Sequence, residues 1–165
     1  MPRIVLDPAD VRQLSATYTT TIPEDYLDSM GHMNVMWYTH LFSMGFVGMM
    51  KRIGLADIFE NDEDGGSFAL ETHIRYLSEV RVGHTINVHP RMISRSEKRF
   101  HFLYFMTNDD KQDVSATYET VGTYVSLKQR RTAPLPKEVT GKMDRLIAES
   151  ESLSWEAPVC GIMSA

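Results

Sequence analysis

The sequence predicts an α+β fold in which one long helix is enclosed by a strongly curved antiparallel sheet. Two patterns carry that reading. The stretch Val35 to about Ile53 is apolar on nearly every side, with Val35, Met36, Trp37, Tyr38, Leu41, Phe42, Met44, Phe46, Val47, Met49, Met50 and Ile53. A helix of that kind must be buried on most sides. From Ser67 to Leu127 the pattern changes to alternation, which marks strands, broken at short polar turns. A single helix cannot cover a whole sheet, so two such units are expected to pair.

The elements follow in order. Ala16 to Ile22 is β-branched and aromatic and reads as a first strand, ended by Pro23. A loop with Asp28 and Gly31 precedes the long helix, and Asn34 can cap it by accepting a backbone N–H. Gly45 and Gly48 each cost about 1 kcal/mol relative to Ala in a helix interior, so they imply a closely packed neighbour. Gly54 is placed to end the helix in a left-handed conformation. Glu60 to Gly66 reads as an acidic, solvated loop without the full ligand spacing of a calcium site. Phe68, Leu70, Thr72, Ile74 and Tyr76 then share one strand face, with Glu71 and His73 on the other. Arg81 to His84 turns the chain into a strand through Ile86, Val88 and Met92, where Pro90 marks an edge or bulge. Arg99–Thr107 and Val114–Leu127 form the last strands around an Asn108–Lys111 hairpin turn, and Glu138–Ser150 reads as a surface helix.

At 165 residues the chain reads as one domain over 1–150 with a tail over 151–165. A net charge of −5 without a basic tract gives no general attraction for nucleic acid. The single cysteine, Cys160, excludes an intrachain disulfide framework and reads as a bystander thiol. The N-terminus lacks the apolar core of a leader, and no run approaches membrane-spanning length, so a cytoplasmic protein with no membrane partner is expected. Six histidines show no metal-ligand spacing, so no metal is expected. There is no glycine-rich phosphate loop and no Gly-x-Ser-x-Gly elbow.

The candidate site is Asp28-Ser29-Met30-Gly31-His32-Met33-Asn34 running into Val35-Met36-Trp37-Tyr38. The first turn of a helix offers unpaired N–H groups and the positive end of its dipole. A carboxylate just ahead of them can attack or activate water while an N–H holds a developing oxyanion. Asp is also common in turns, and spacing alone leaves turn and catalyst equally open for Asp28.

Asp-x-x-Gly-His-x-Asn before an aromatic, apolar helix resembles the hotdog-fold acyl-CoA thioesterases of the 4-hydroxybenzoyl-CoA thioesterase type. The resemblance implies Asp28 as catalytic carboxylate and the Val35 N–H as the donor that polarises the thioester carbonyl. Gly31, His32 and Asn34 become site residues. It also implies a homodimer, or a dimer of dimers, with active sites at the subunit interface. No cofactor is implied, because coenzyme A is part of the substrate.

Glu71 to Glu79, with Lys98-Arg99-Phe100-His101 and Ala116-Thr117-Tyr118-Glu119, is similar to a narrower group, the betainyl-CoA thioesterases of carnitine breakdown. A trimethylammonium substrate would need aromatic faces and a nearby acid. Trp37, Tyr38 and Tyr76 could supply the faces and Glu71 the charge, although each aromatic also reads as core. Arg95, Lys98, Arg99, Arg130 and Arg131 are candidates for coenzyme A phosphates. The rival readings are a hotdog hydratase or dehydratase and a non-catalytic acyl-CoA binding module.

Overall fold

The computed structural model describes residues 5–165. Residues 1–4 lie outside it, and so does the part of the leader reading that rests on them. The described elements are α1 (Pro8–Val11), β1 (Tyr18–Thr21), a 3₁₀ turn (Glu24–Tyr26), α2 (Val35–Ile53), α3 (Leu55–Asn61), β2 (Gly65–Tyr76), β3 (Thr85–Arg95), β4 (Arg99–Asn108), β5 (Asp113–Ser126), β6 (Arg131–Thr132) and α4 (Lys137–Glu151). The sheet order is β1-β3-β4-β5-β2, with β6 paired to β5. β1 and β3 are antiparallel, with Tyr18 opposite Val88 and Thr21 opposite Thr85. Pro90 sits beyond that paired stretch, where β3 no longer needs an N–H for β1.

Contacts gather the chain into two compact units. One draws on the chain up to Gly48 with Ile74–Pro90 and Tyr104–Tyr118; the other on Met49–His73, Arg91–Leu103 and Glu119–Ala165.

In the first unit the leading part of α2 packs through its glycines. A Cβ at Gly48 would overlap the Thr17 carbonyl oxygen, and one at Gly45 would overlap the Val88 side chain. The Thr17 hydroxyl donates to the Gly45 carbonyl at 2.9 Å. Leu41 and Phe42 are fully buried, and Phe42 stacks on Tyr118 at 5.2 Å between ring centroids. Buried His89 ties the N-terminal segment down, with Nδ1 2.7 Å from the Leu14 carbonyl and Nε2 3.0 Å from the Thr107 hydroxyl. Burial pushes its pKa down, because the charged form loses water.

In the second unit Gly54 has φ +83 and separates α2 from α3, so the chain turns and restarts as a helix at Leu55. The end of α4 is held by buried Arg91, whose guanidinium donates to the Ser150 hydroxyl and carbonyl, each at 2.8 Å. A cation there completes the unpaired carbonyls of a helix C-terminus. Arg91 also donates to the Trp155 carbonyl and lies 4.3 Å from that ring's centroid, which fixes the start of the C-terminal segment. Farther on, the Cys160 N–H donates to the buried Glu119 carboxylate, which faces His101 at 2.9 Å.

Three expectations need correction. α2 is not enclosed on all sides within this chain, since Val35 and Met36 are each 60% exposed. α3 runs to Asn61 and so takes in the start of the expected Glu60–Gly66 loop, and Arg131–Thr132 adds a short strand beyond the expected end at Leu127. β4 is buried on both faces rather than alternating, with only Arg99 exposed. His101 is covered by Glu119 in one unit, and Thr107 by His89 in the other, so polar residues close what alternation would leave to water.

Two outcomes follow. Gly48→Ala gains about 1 kcal/mol of helix propensity, yet the Thr17 backbone cannot retreat as a side-chain end would, so urea unfolding should show a net loss of stability. His89 binds its proton more weakly folded than unfolded. Its contribution to stability is therefore full above about pH 6.5 and is lost as pH falls through its lowered folded value. Unfolding midpoints should fall between neutral and mildly acidic pH, and His89→Gln should flatten that slope.

Candidate active site at the Asp28 loop

The loop from Asp28 to Asn34 lies wholly in the first unit and is closed by its own backbone. Leu27 and Met33 form an isolated antiparallel bridge. The Asp28 N–H donates to the His32 carbonyl at 2.8 Å, and the Gly31 N–H to the Asp28 carbonyl at 3.2 Å. Gly31 has φ +81, the left-handed conformation that a side chain would strain. The loop is anchored outside itself by Met33 N–H on the Val80 carbonyl and Asn34 N–H on the Tyr26 carbonyl, each 2.8 Å.

Asp28 divides its carboxylate between two tasks. Oδ1 accepts the Met30 N–H at 2.8 Å and the His32 N–H at 3.2 Å, the pattern of an Asx turn. Among the described residues Oδ2 has no hydrogen bond. The N–H groups of His32 and Met30 hold the pKa below the usual carboxylate value of 3.8, so the group is an anion at neutral pH.

The start of α2 is divided in the same way. Asn34 caps it as expected, its Oδ1 accepting the Met36 N–H at 3.0 Å, while its carbonyl takes the Trp37 N–H at 3.0 Å. Among the described residues the Val35 N–H has no acceptor, although its neighbours on both sides do. A helix-start donor without a partner can hold a carbonyl oxygen that gains negative charge.

His32 is half-buried, and its Nε2 lies 2.7 Å from the Glu79 carboxylate, which also bridges Arg81 at 2.7 Å. Sequence reasoning gave no part to Glu79, Val80 or Tyr26. They come from segments whose own patterns show only strand ends and a turn, although the aromatic at Tyr26 was a usable signal.

The aromatic candidates divide sharply. Trp37 stacks on Tyr26 at 3.7 Å and 5° between planes, so one of its faces is covered. Tyr38 is buried, at 4% exposure, and meets Tyr76 edge-on at 5.1 Å. Burial pushes the Tyr38 hydroxyl up to about 12, with Tyr76, Glu79 and Asp113 adding to it. Tyr76 is exposed. Glu71 belongs to the second unit and is exposed on β2. Among the basic candidates, Arg95 is engaged by Asp144 at 2.6 Å through both Nε and an Nη, and Arg131 bonds Gln129. Lys98, Arg99 and Arg130 carry no side-chain partner among the described residues.

Comparison with known proteins places the chain in a family. Residues 22–143 match the model of the Thioesterase-like superfamily. The chain is 32% identical over 150 residues to the L-carnitine dehydrogenase/betainyl-CoA thioesterase of Ruegeria pomeroyi, covering 91% of this chain but 30% of that protein. It therefore spans less than a third of that longer relative. It is 30% identical over 142 residues to the betainyl-CoA thioesterase of Pseudomonas aeruginosa, covering 86% of this chain and 89% of that one. A hypothetical protein of Staphylococcus aureus, solved in complex with CoA, superposes with a TM-score of 0.77 at 21% identity over 87% of this chain and 90% of its own. That likeness shows the α+β hotdog fold. With the match running from Ile22 to Met143, the chain belongs to the thioesterase-like superfamily.

Proposed function

We propose that the chain hydrolyses a small acyl-CoA thioester to the free acid and coenzyme A, with betainyl-CoA as the favoured substrate. The observation that carries this reading is the pairing of a free Asp28 Oδ2 with an unclaimed Val35 N–H at the two ends of one closed loop. Family membership and the names of the relatives supply the thioester and the coenzyme A. Oδ2 either attacks the carbonyl carbon, giving an anhydride and coenzyme A thiolate, or takes a proton from a water that attacks. In both routes the carbonyl electrons pass to oxygen, which the Val35 N–H holds, before the C–S bond breaks. The anhydride is then opened by water, and the thiolate recovers a proton.

In this reading His32, braced by Glu79, fixes the loop; Gly31 lets it turn; Asn34 assigns the helix-start donors so that Val35 is left over. Trp37 and Tyr76 offer aromatic surface to a trimethylammonium group, Tyr38 supports Tyr76 from beneath, and Glu71 is the acid that would supply a counter-charge. The exposed Val35 and Met36 on α2 suit a homodimer. The whole of 1–150 acts as one domain with the 151–165 tail held on it. No cofactor enters the reaction. Among the described residues no helix is long and apolar enough to cross a membrane, and a cytoplasmic setting suits a coenzyme A substrate.

The test is thiol release across a panel of acyl-CoA thioesters including betainyl-CoA. Asp28→Asn keeps the Oδ1 acceptor and with it the loop, so the variant should fold normally and lose about 10²–10⁴ in kcat. Full activity in a folded Asp28→Asn protein removes Asp28 from the reaction. Tight binding without release favours a binding module, and turnover of an enoyl-CoA favours a hydratase. The pH profile gives a second check. Because backbone donors stabilise the Asp28 anion, the acid limb of kcat/KM should fall below 3.8. A limb near neutrality would mean that another group limits the rate.

A further inference from the structure

Two of the ties that hold the Asp28 loop to the rest of its unit run to one dipeptide, Glu79-Val80. The Met33 N–H donates to the Val80 carbonyl at 2.8 Å, and His32 Nε2 lies 2.7 Å from the Glu79 carboxylate. Met33 and Val80 are buried, whereas His32 and Glu79 are more than a third exposed. A hydrogen bond shielded from water holds its geometry better than a screened surface pair. The Val80 peptide is therefore the firmer of the two ties.

Val80 itself lies between β2, which ends at Tyr76, and β3, which begins at Thr85. No strand ladder fixes its N–H there. That N–H donates instead to the Tyr38 hydroxyl, which is carried one turn into α2. The Val80 peptide is thus gripped by the helix at its N–H and by the loop at its carbonyl. The contacts close into a ring, from Tyr38 to Val80, to Met33, through the Asn34 cap and back along the first turn of α2. Both parts of the candidate site hang on that ring, because the Asp28 turn precedes Met33 and the Val35 N–H opens the helix.

The Tyr38 ring packs edge-on against Tyr76 at 5.1 Å, a contact that a phenylalanine would make equally well. What a phenylalanine lacks is the oxygen that takes the Val80 N–H. Burial pushes the hydroxyl's pKa up to about 12, so it stays a neutral O–H and does not titrate in the working range. It is suited to holding a peptide rather than to moving a proton.

We propose, resting on the thioesterase reading of Asp28, that Tyr38 is a positioning residue whose hydroxyl, through Val80 and Met33, sets the Asp28 carboxylate against the Val35 N–H. Loss of the oxygen leaves the buried Val80 N–H without an acceptor, so the peptide shifts and the loop follows it. A displacement of about 1 Å at a reacting group can cost about 10² in rate.

The experiment compares Tyr38→Phe with Thr107→Val, which removes a buried polar contact to His89 in the same unit but away from the loop. Amide hydrogen exchange in the free protein reads the clamp without any substrate. The Met33 N–H should exchange about tenfold faster in Tyr38→Phe, while the Leu41 and Phe42 amides keep their protection. Thiol release, with the best thioester of the panel, reads the consequence. In Tyr38→Phe kcat should fall by about ten- to a hundredfold with KM changed by less than about twofold. Added to Asp28→Asn, the same substitution should lower kcat by less than about twofold, since it acts through that carboxylate. Thr107→Val should change neither Met33 exchange nor kcat. Unchanged Met33 exchange in Tyr38→Phe, a loss in KM rather than kcat, equal effects of Thr107→Val, or a full further loss in the Asp28→Asn background overturns the proposal. Full activity of a folded Asp28→Asn protein overturns instead the assignment of Asp28, and with it the catalytic half of this proposal, while Met33 exchange still decides the clamp.

Discussion

The first unit depends on how closely the α2 backbone approaches its neighbours. Gly45 and Gly48 leave no side chain between the helix and the Thr17–Val88 region, and the Thr17 hydroxyl holds the Gly45 carbonyl directly. That contact fixes where the helix lies, and with it where its first turn begins. The loop ahead of it has little freedom left, since Met33 and Asn34 are tied to Val80 and Tyr26. A helix that rode higher would carry Asn34 and the Val35 N–H with it. The propensity lost at two glycines, about 1 kcal/mol each, is thus offset by a precise seat for the helix start.

Much of this was legible in the sequence because local physics decided it. α2 spans Val35–Ile53 as read, since an apolar run, an Asn cap and a left-handed glycine all agreed on its limits. The places of the strands were legible from their apolar residues and the polar turns between them. α3 was missed because Gly54 reads as a stop and the acids from Glu60 read as loop, which left Leu55–Phe59 too short a stretch to show a helical period. The double-sided burial of β4 was invisible because it depends on His89, Glu119 and the C-terminal segment, all distant in sequence. At the loop, the turn glycine and the cap were readable from neighbouring residues. The role of Glu79 was not, since only folding brings it to His32.

The choice between turn residue and catalyst for Asp28 rested on treating its carboxylate as one group. Its two oxygens have different surroundings. Two N–H groups occupy Oδ1 and stabilise the anion, which is what a structural Asx turn requires. The same bonds orient Oδ2 and keep it charged at neutral pH. A structural role and a chemical one are therefore compatible in a single side chain. The lowered basicity has a direction too. It weakens proton abstraction from water, while an anion that stays ionised remains available for direct attack.

In the proposed reaction, selectivity for a quaternary ammonium would rest on less surface than the sequence suggested. Tyr38 is core, and Trp37 has one face against Tyr26. Tyr76 and the remaining Trp37 face are what this chain can offer. Cation–π contacts at exposed positions contribute about 0.5–1 kcal/mol, and about 2 when water is excluded. Two such faces would favour the proposed trimethylammonium substrate by about tenfold over a neutral acyl group, since 1.4 kcal/mol is one decade. A stronger preference requires the faces to be desolvated. Val35 and Met36 stand exposed at the start of the same helix, so a second copy covering them is the arrangement that would exclude water there. On this argument substrate preference and self-association are linked, and in the proposed reaction a chain held monomeric should keep no more than about a tenfold preference for betainyl-CoA over short neutral acyl-CoA thioesters.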